Sequence, residues 1–142
     1  SAVRVPPKVM CGTALDPYHL ATFPDGGLYS SVNDLSRFLA AMVPGAGSFD
    51  GTEVLPSEQA AALTDFIDVS DGDIVDGQGI FWERYLGLYG HTGGDPGVST
   101  AMGYDPEAGV GYILLINETG PTTELFLLQA LARMQEFAAE EL

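Results

Sequence analysis

Apolar residues recur at helical spacing in three stretches of this chain and at strand-like density between them. Val32, Leu35, Phe38, Leu39 and Met42 fall on one face, which predicts a helix over residues 31–43. Ser30 or Ser31 can cap it, Asp34 favours its positive end, and Pro44-Gly45 stops it. Ser57 starts a second, shorter helix running through Ala60, Leu63 and Phe66. Pro121-Thr122 opens a final helix. Its apolar stripe is Leu125, Leu128, Leu131, Ala132, Gln135 and Ala138, broadened by Phe126 and Met134. Between the second and third helices, residues 79–92 are rich in aromatic and β-branched residues and read as the two strands of a hairpin. Residues 98–104 and 110–116 read as two more strands, joined by the turn signals of Asp105-Pro106-Glu107-Ala108-Gly109. Residues 1–27, broken by Pro6-Pro7, Asp16-Pro17 and Pro24-Asp25-Gly26-Gly27, read as extended and loop structure.

The expected architecture is α+β: an antiparallel sheet of three to four strands packed by a C-terminal helix and preceded by two helices. Residues 1–142 then form a single partial domain, with 1–27 extended or loop, 28–78 a helical segment and 79–142 the sheet plus C-terminal helix.

Composition narrows the classes of function. Hydrophobic residues make up 46%, enough for a packed core. Twenty acidic residues against five basic ones give a formal net charge of −15. That charge repels nucleic acid and anionic membranes, which are bound through Lys and Arg. It promotes solubility and is also what a high-salt environment would favour. Lys8 is the sole lysine, and Gly-Lys-Ser/Thr occurs nowhere, so no phosphate-binding Walker loop exists. No apolar run is long enough to span a membrane as a helix. Cys11 is the sole cysteine, so no intrachain disulfide is expected.

The chemistry concentrates at Gly90-His91-Thr92-Gly93-Gly94-Asp95-Pro96-Gly97. Glycine lets backbone amides approach a ligand oxygen, His91 is an imidazole, and Thr92 offers a hydroxyl beside it. The same composition also suits a plain glycine-rich turn. A serine nucleophile needs a base. Gly97-Val98-Ser99-Thr100-Ala101 loosely matches a nucleophile elbow, but both histidines, His19 and His91, precede Ser99, and the match lies in a strand. Ser-x-x-Lys is absent, since residue 5, three before Lys8, is valine. Ser30 and Ser31 have no base in sight. Two histidines without His-Glu-x-x-His give little support to zinc. The carboxylates Asp65, Asp68, Asp71, Asp73 and Asp76 suggest calcium, but loops begun at Asp71 or Asp68 reach Trp82 or Gly79 at the twelfth position, where an acid is needed. An acidic surface loop is the simpler expectation, and no metal or other cofactor is expected.

Pro24 to Leu39, with Gly27-Leu28-Tyr29-Ser30-Ser31 at its centre, resembles a stretch of the serine β-lactamase-like hydrolases: class C β-lactamases, D-alanyl-D-alanine carboxypeptidases and related esterases. Leu55-Pro56-Ser57-Glu58 fits the loop-to-helix step that follows. Gly90-His91-Thr92-Gly93-Gly94, Gly97, Tyr104-Asp105-Pro106-Glu107 and Leu114-Leu115-Ile116-Asn117 are similar to the C-terminal strand region of that family. The resemblance runs from about Pro24 to Asn117, with the motifs in the family's order.

The resemblance implies the C-terminal part of the β-lactamase/transpeptidase-like fold. Of the family's three active-site motifs, only the Lys/His-Thr-Gly triad occurs here, as His91-Thr92-Gly93; Ser-x-x-Lys and Tyr-x-Asn do not. It therefore implies a portion lacking the nucleophile, inactive alone, which would act on an ester, amide or β-lactam once completed. His91 and Gly94 would be catalytic, with the Gly94 N–H aimed at the oxyanion, and Thr92 and Gly93 would bind substrate. The other reading is a noncatalytic binding or interaction module derived from the fold. Expected partners are the missing N-terminal half or a second copy of the chain, because an edge strand and an apolar face would otherwise lie open.

Overall fold

The computed structural model describes residues 7–16, 18–19, 21, 26–43, 48–69 and 75–141, and the side chains of all of these except 48–49 and 138–141. The expected first helix forms as α1, Val32–Met42. Ser31 caps it: its hydroxyl oxygen accepts from the Asp34 amide at 3.1 Å while its hydroxyl donates to the Asp34 carboxylate at 2.7 Å. One orphan amide of the first turn is thereby satisfied.

Helix α2, Ser57–Ala62, stops four residues short of the expected Phe66. The amides of Leu63 and Thr64 bond back to Ala60 and Ala61 in a tightened last turn, and the Thr64 hydroxyl also donates to the Ala61 carbonyl. Leu63 and Phe66 still reach the core, from the turn beyond the helix.

The main sheet has six strands rather than three or four. They are β5 (Ile67–Asp68), β6 (Val75–Gln78), β7 (Glu83–Tyr85), β8 (Leu88–Asp95), β9 (Val98–Asp105) and β10 (Val110–Ile116), lying in the order β10-β9-β8-β7-β6-β5 with every neighbour antiparallel. The additional pair comes from the acidic stretch expected as loop. Arg84 makes this possible, holding Asp76 at 2.5 Å and Asp68 at 2.7 Å across three strands. Asp71 and Asp73 lie outside the described residues. Gly79 to Trp82 is a turn rather than a strand, closed by the Gly79 amide on the Trp82 carbonyl at 2.8 Å. The same turn seals Trp82 completely from solvent.

Three very short strands, β1 (Val9–Met10), β2 (Thr13–Ala14) and β11 (Glu118–Thr119), form a separate ribbon, and β3 (Ser48–Phe49) with β4 (Thr52–Glu53) forms a hairpin. The last helix is α3, Pro121–Glu141.

Alternation along the strands gives the sheet two apolar faces. One carries Trp82 and Tyr104 against Leu39 and Met42 of α1. The other carries Tyr85, Leu88, Ala101 and Tyr112 against Leu131 of α3, with Leu127 and Met134 beside it. Helix α3 is therefore rotated relative to the stripe read from sequence. Thr123, Leu127, Leu131 and Met134 face the sheet, whereas Leu125, Phe126 and Leu128 stay exposed. The helix carries apolar residues around much of its circumference, and only contact with the sheet selects among them.

Glycine is required where Tyr112 crosses the sheet. A Cβ on Gly103 would stand 2.4 Å from the Tyr89 carbonyl and 2.5 Å from the Tyr112 phenol oxygen, and one on the paired Gly90 would meet that phenol at 2.6 Å. The cleared space lets the buried hydroxyls of Tyr112 and Tyr85 bond to each other. Burial raises the pKa of both, since a phenolate there would lose its hydration. Tyr104 is pushed up to about 12 by the same cause. Its hydroxyl makes no hydrogen bond of normal geometry, although the Thr64 hydroxyl, which donates to the Ala61 carbonyl, lies nearby.

These tyrosines set an alkaline limit. A raised folded-state pKa means stability is fully present below the unfolded value of about 10 and is lost as pH climbs above it. Urea midpoints of the full chain should be flat up to about pH 9 and fall from about pH 10 upward, with the Tyr104 part exhausted near its folded value of about 12. Tyr104→Phe should flatten part of that slope while costing no stability at neutral pH, because it removes an unpaired buried hydroxyl.

Candidate functional site

Strand β8 carries all four residues singled out from sequence, and its neighbours determine what each can do. On one side it pairs with β9 along all but its first residue, from Tyr89 opposite Tyr104 to Asp95 opposite Val98. On the other it pairs with β7 only as far as Gly90, opposite Glu83. His91 to Asp95 therefore have a neighbouring strand on one side alone.

Two tight turns fix which backbone groups point to which side. Leu86-Gly87, with φ of 52° and 78°, joins β7 to β8; Pro96-Gly97, with Gly97 at φ 73°, joins β8 to β9. Residues flanking a two-residue turn exchange backbone hydrogen bonds, and such pairs alternate along the ladder. Leu88 is thus bonded to β7 and Asp95 to β9, and counting inward from either turn gives the same answer. Gly90, Thr92 and Gly94 aim N–H and C=O toward the β7 side, while His91 and Gly93 aim theirs at β9. Since β7 has ended, the peptide groups of Thr92 and Gly94 face an edge with no strand on it. Neither amide has another backbone partner among the described residues. A ligand with an extended backbone can complete this ladder.

Side chains alternate in the complementary sense. His91 projects on the α1 face, where Phe81 lies 6.4 Å from its ring, followed by Phe38 at 6.2 Å from Phe81. Its Nδ1 bonds to the Thr92 carbonyl. A carbonyl only accepts, so Nδ1 carries the proton, and in the neutral ring Nε2 is left as the acceptor. Thr92 projects on the α3 face, into a groove of about 640 Å³ whose other walls include Met10, Ser99, Thr119, Leu127 and Leu128. Gly93 fits closely, since a Cβ there would meet the Thr100 hydroxyl at 2.6 Å and that side chain would have to turn aside. Gly94 has open space on its side-chain face, so its contribution is the backbone.

The structure brings His91, Thr92, Gly93 and Gly94 together on one exposed strand. It places the candidate serines in structural roles. Ser99 is buried in β9 with its hydroxyl donated to the Glu118 carbonyl at 2.9 Å, and Ser31 is the helix cap. Sequence reasoning missed Phe81 as a neighbour of His91, because Gly79 to Trp82 was read as strand. The open peptide groups of Thr92 and Gly94 had a signal in the two-residue Pro96-Gly97 turn, but only the early end of β7 makes that phase matter.

In comparison with known proteins, a family model described as Beta-lactamase matches residues 2–134. No curated protein and no solved structure matches the chain.

The Gly93–Thr100 contact can be tested directly. Gly93→Ala should destabilise the chain by about 1–3 kcal/mol through overpacking. Adding Thr100→Ala, which removes the obstructing hydroxyl, should recover most of that loss. Chemical denaturation of both single variants and the double variant measures the coupling.

Proposed function

The chain belongs to the beta-lactamase family, and from that premise we propose that it supplies the substrate strand and oxyanion side of a serine acyl-transfer site acting on an ester, amide or β-lactam. The observation that carries this reading is the open edge of β8. There the Gly94 N–H would donate to the oxyanion, and the Thr92 peptide would hold the substrate backbone. Donors fixed before reaction stabilise developing charge without reorganising. His91 would act through Nε2, toward the leaving group or a neighbouring hydroxyl, with Nδ1 held by the Thr92 carbonyl.

The nucleophile and its base are not among these residues: Ser-x-x-Lys and Tyr-x-Asn are absent from the sequence. We assign them to a completing segment or partner. Two features suit its docking. The edge strand β10 has neither charge nor proline along Val110–Ile116, so its outer backbone groups can accept another strand. The exposed Leu125 and Phe126 of α3 offer an apolar face to a packed helix or a second copy of the chain.

Intact mass after treatment with a fluorophosphonate and with benzylpenicillin should show no covalent adduct on the chain alone. Amide NMR with benzylpenicillin should shift Thr92 and Gly94. Gly94→Pro, which deletes an N–H not used by the β9 ladder, should abolish that response, while Gly94→Ala should retain it. In the completed enzyme the same Pro substitution should cost about 100- to 1000-fold in rate. A serine adduct on this chain would overturn the division of the site. Binding at Thr92 and Gly94 by a completed assembly that never acylates would favour the noncatalytic module. Light scattering should show mass rising with concentration, and a monomer throughout would count against the docking surfaces.

A further inference from the structure

We propose that the groove on the α3 side of the open edge of β8 is a subsite for a cationic substituent of the ligand, a hydrocarbon stem ending in an ammonium or guanidinium group, held by Asp95 and Glu124. The inference rests on the reading of that edge given above and adds the chemical class of what lies there.

The groove adjoins the edge and holds about 640 Å³, the size of a small-molecule site. Its walls are of two kinds. Met10, Leu127 and Leu128 are apolar, and Met10 and Leu128 are each 43% exposed. The charged residues that line it are Asp95 and Glu124, both acidic. Neither forms an ion pair or a side-chain hydrogen bond among the described residues. The described arginines meet Asp34, Asp68, Asp76 and Glu136 instead. Lys8 is held over the Tyr18 ring at 3.9 Å and does not line the groove.

The other polar groups there are largely engaged. The Ser99 hydroxyl donates to the Glu118 carbonyl at 2.9 Å, the Thr119 hydroxyl oxygen accepts from the Gly97 amide at 2.8 Å, and the Thr100 hydroxyl donates to the Gly93 carbonyl at 3.4 Å. An ionised carboxylate only accepts. The groove therefore offers apolar contact and unused acceptors, and its complement is an apolar stem with a charged donor at the tip. An anion placed there would meet two like charges.

Strand geometry delivers such a substituent to the groove. A ligand added as a strand along the edge sends successive substituents to opposite faces. Units directly opposite each other share a face. A unit opposite Thr92 or Gly94 thus places its substituent on the α3 side, over the groove, and a unit opposite Gly93 places its own on the His91 side. Glu124 also complements the positive end of α3 from its first turn, and Asp95 flanks the turn to β9. Each of those roles needs one acid alone and is indifferent to ligand charge, whereas a cation subsite makes both acids respond to the same group.

The test uses Nα-acetyl-lysine N-methylamide and its norleucine counterpart, which keeps the stem and lacks the charge, as probes of the full chain. The amides of Thr92 and Gly94 report the edge, and the methyl groups of Met10, Leu127 and Leu128 report the groove. The lysine probe should bind about fivefold more tightly, the scale of two partly exposed ion pairs. It should shift the groove methyls, and the preference should shrink at raised ionic strength. Asp95→Asn combined with Glu124→Gln should bring the preference to near unity while norleucine binding persists. Glu107→Gln makes a charge change in the turn at the far end of β9 and should leave the preference intact. Should the double variant fail to fold, the single variants, each expected to lower the preference about twofold, decide the matter. An equal fall with Glu107→Gln would overturn the subsite, since overall charge would then account for the preference. Equal binding of both probes at Thr92 and Gly94, or a preference that leaves the groove methyls unmoved, would also overturn it and leave the edge reading standing. Absence of any response at Thr92 and Gly94 would overturn both.

Discussion

Strand β7 pairs with the first three residues of β8 and then ends, while β9 follows β8 from Tyr89 to its last residue, Asp95. That mismatch is the constraint on which the site depends. Hydrogen-bonding direction alternates along a strand, so ending one neighbour frees only every second peptide. Here the freed peptides are Thr92 and Gly94, and those between them stay bound into the sheet. The strand is held on its β9 side and leaves the Thr92 and Gly94 amides open to a ligand.

The sheet around this strand is supported from both faces by different means. On the α1 side the packing is aromatic and passes from buried Trp82 and Tyr104 out to Phe81 and His91, so the exposed imidazole stands on a well-packed base. On the α3 side two glycines make room for the Tyr112 phenol, and the paired tyrosine hydroxyls bond to each other. Charge is arranged with similar economy. Arg84 joins β5, β6 and β7 through two carboxylates, while the cation nearest the end of the open edge is left to tyrosine rings.

The family reading and the geometry meet at Gly94. The chain belongs to the beta-lactamase family, and the oxyanion donor at Gly94 is our proposal for it. The pairing of β8 independently points the Gly94 amide out of the sheet. Neither line depends on the other, because the strand phase follows from turn length alone.

Much of this was legible in the sequence. The α1 face, the strands 98–104 and 110–116 and the α+β order follow from spacing, since apolar period and turn residues act over a few positions. His91 to Gly94 were identifiable because glycines beside a histidine and threonine are local features. What local pattern could not decide were choices made by distant partners. The acidic stretch becomes β5 and β6 only because Arg84 lies opposite its carboxylates. Helix α3 has apolar residues on two faces, and the sheet selects Leu127 and Leu131 over Leu125 and Leu128. Lys8, Tyr18 and Pro96 are brought together by the ribbon of β1 with β11, across intervals that no periodicity spans. The sequence determined which segments could become helix or strand and which residues could do chemistry. The tertiary structure decided which edge stayed open and which apolar face of α3 met the sheet, because both depend on where a neighbouring strand ends and on which side chains arrive from elsewhere.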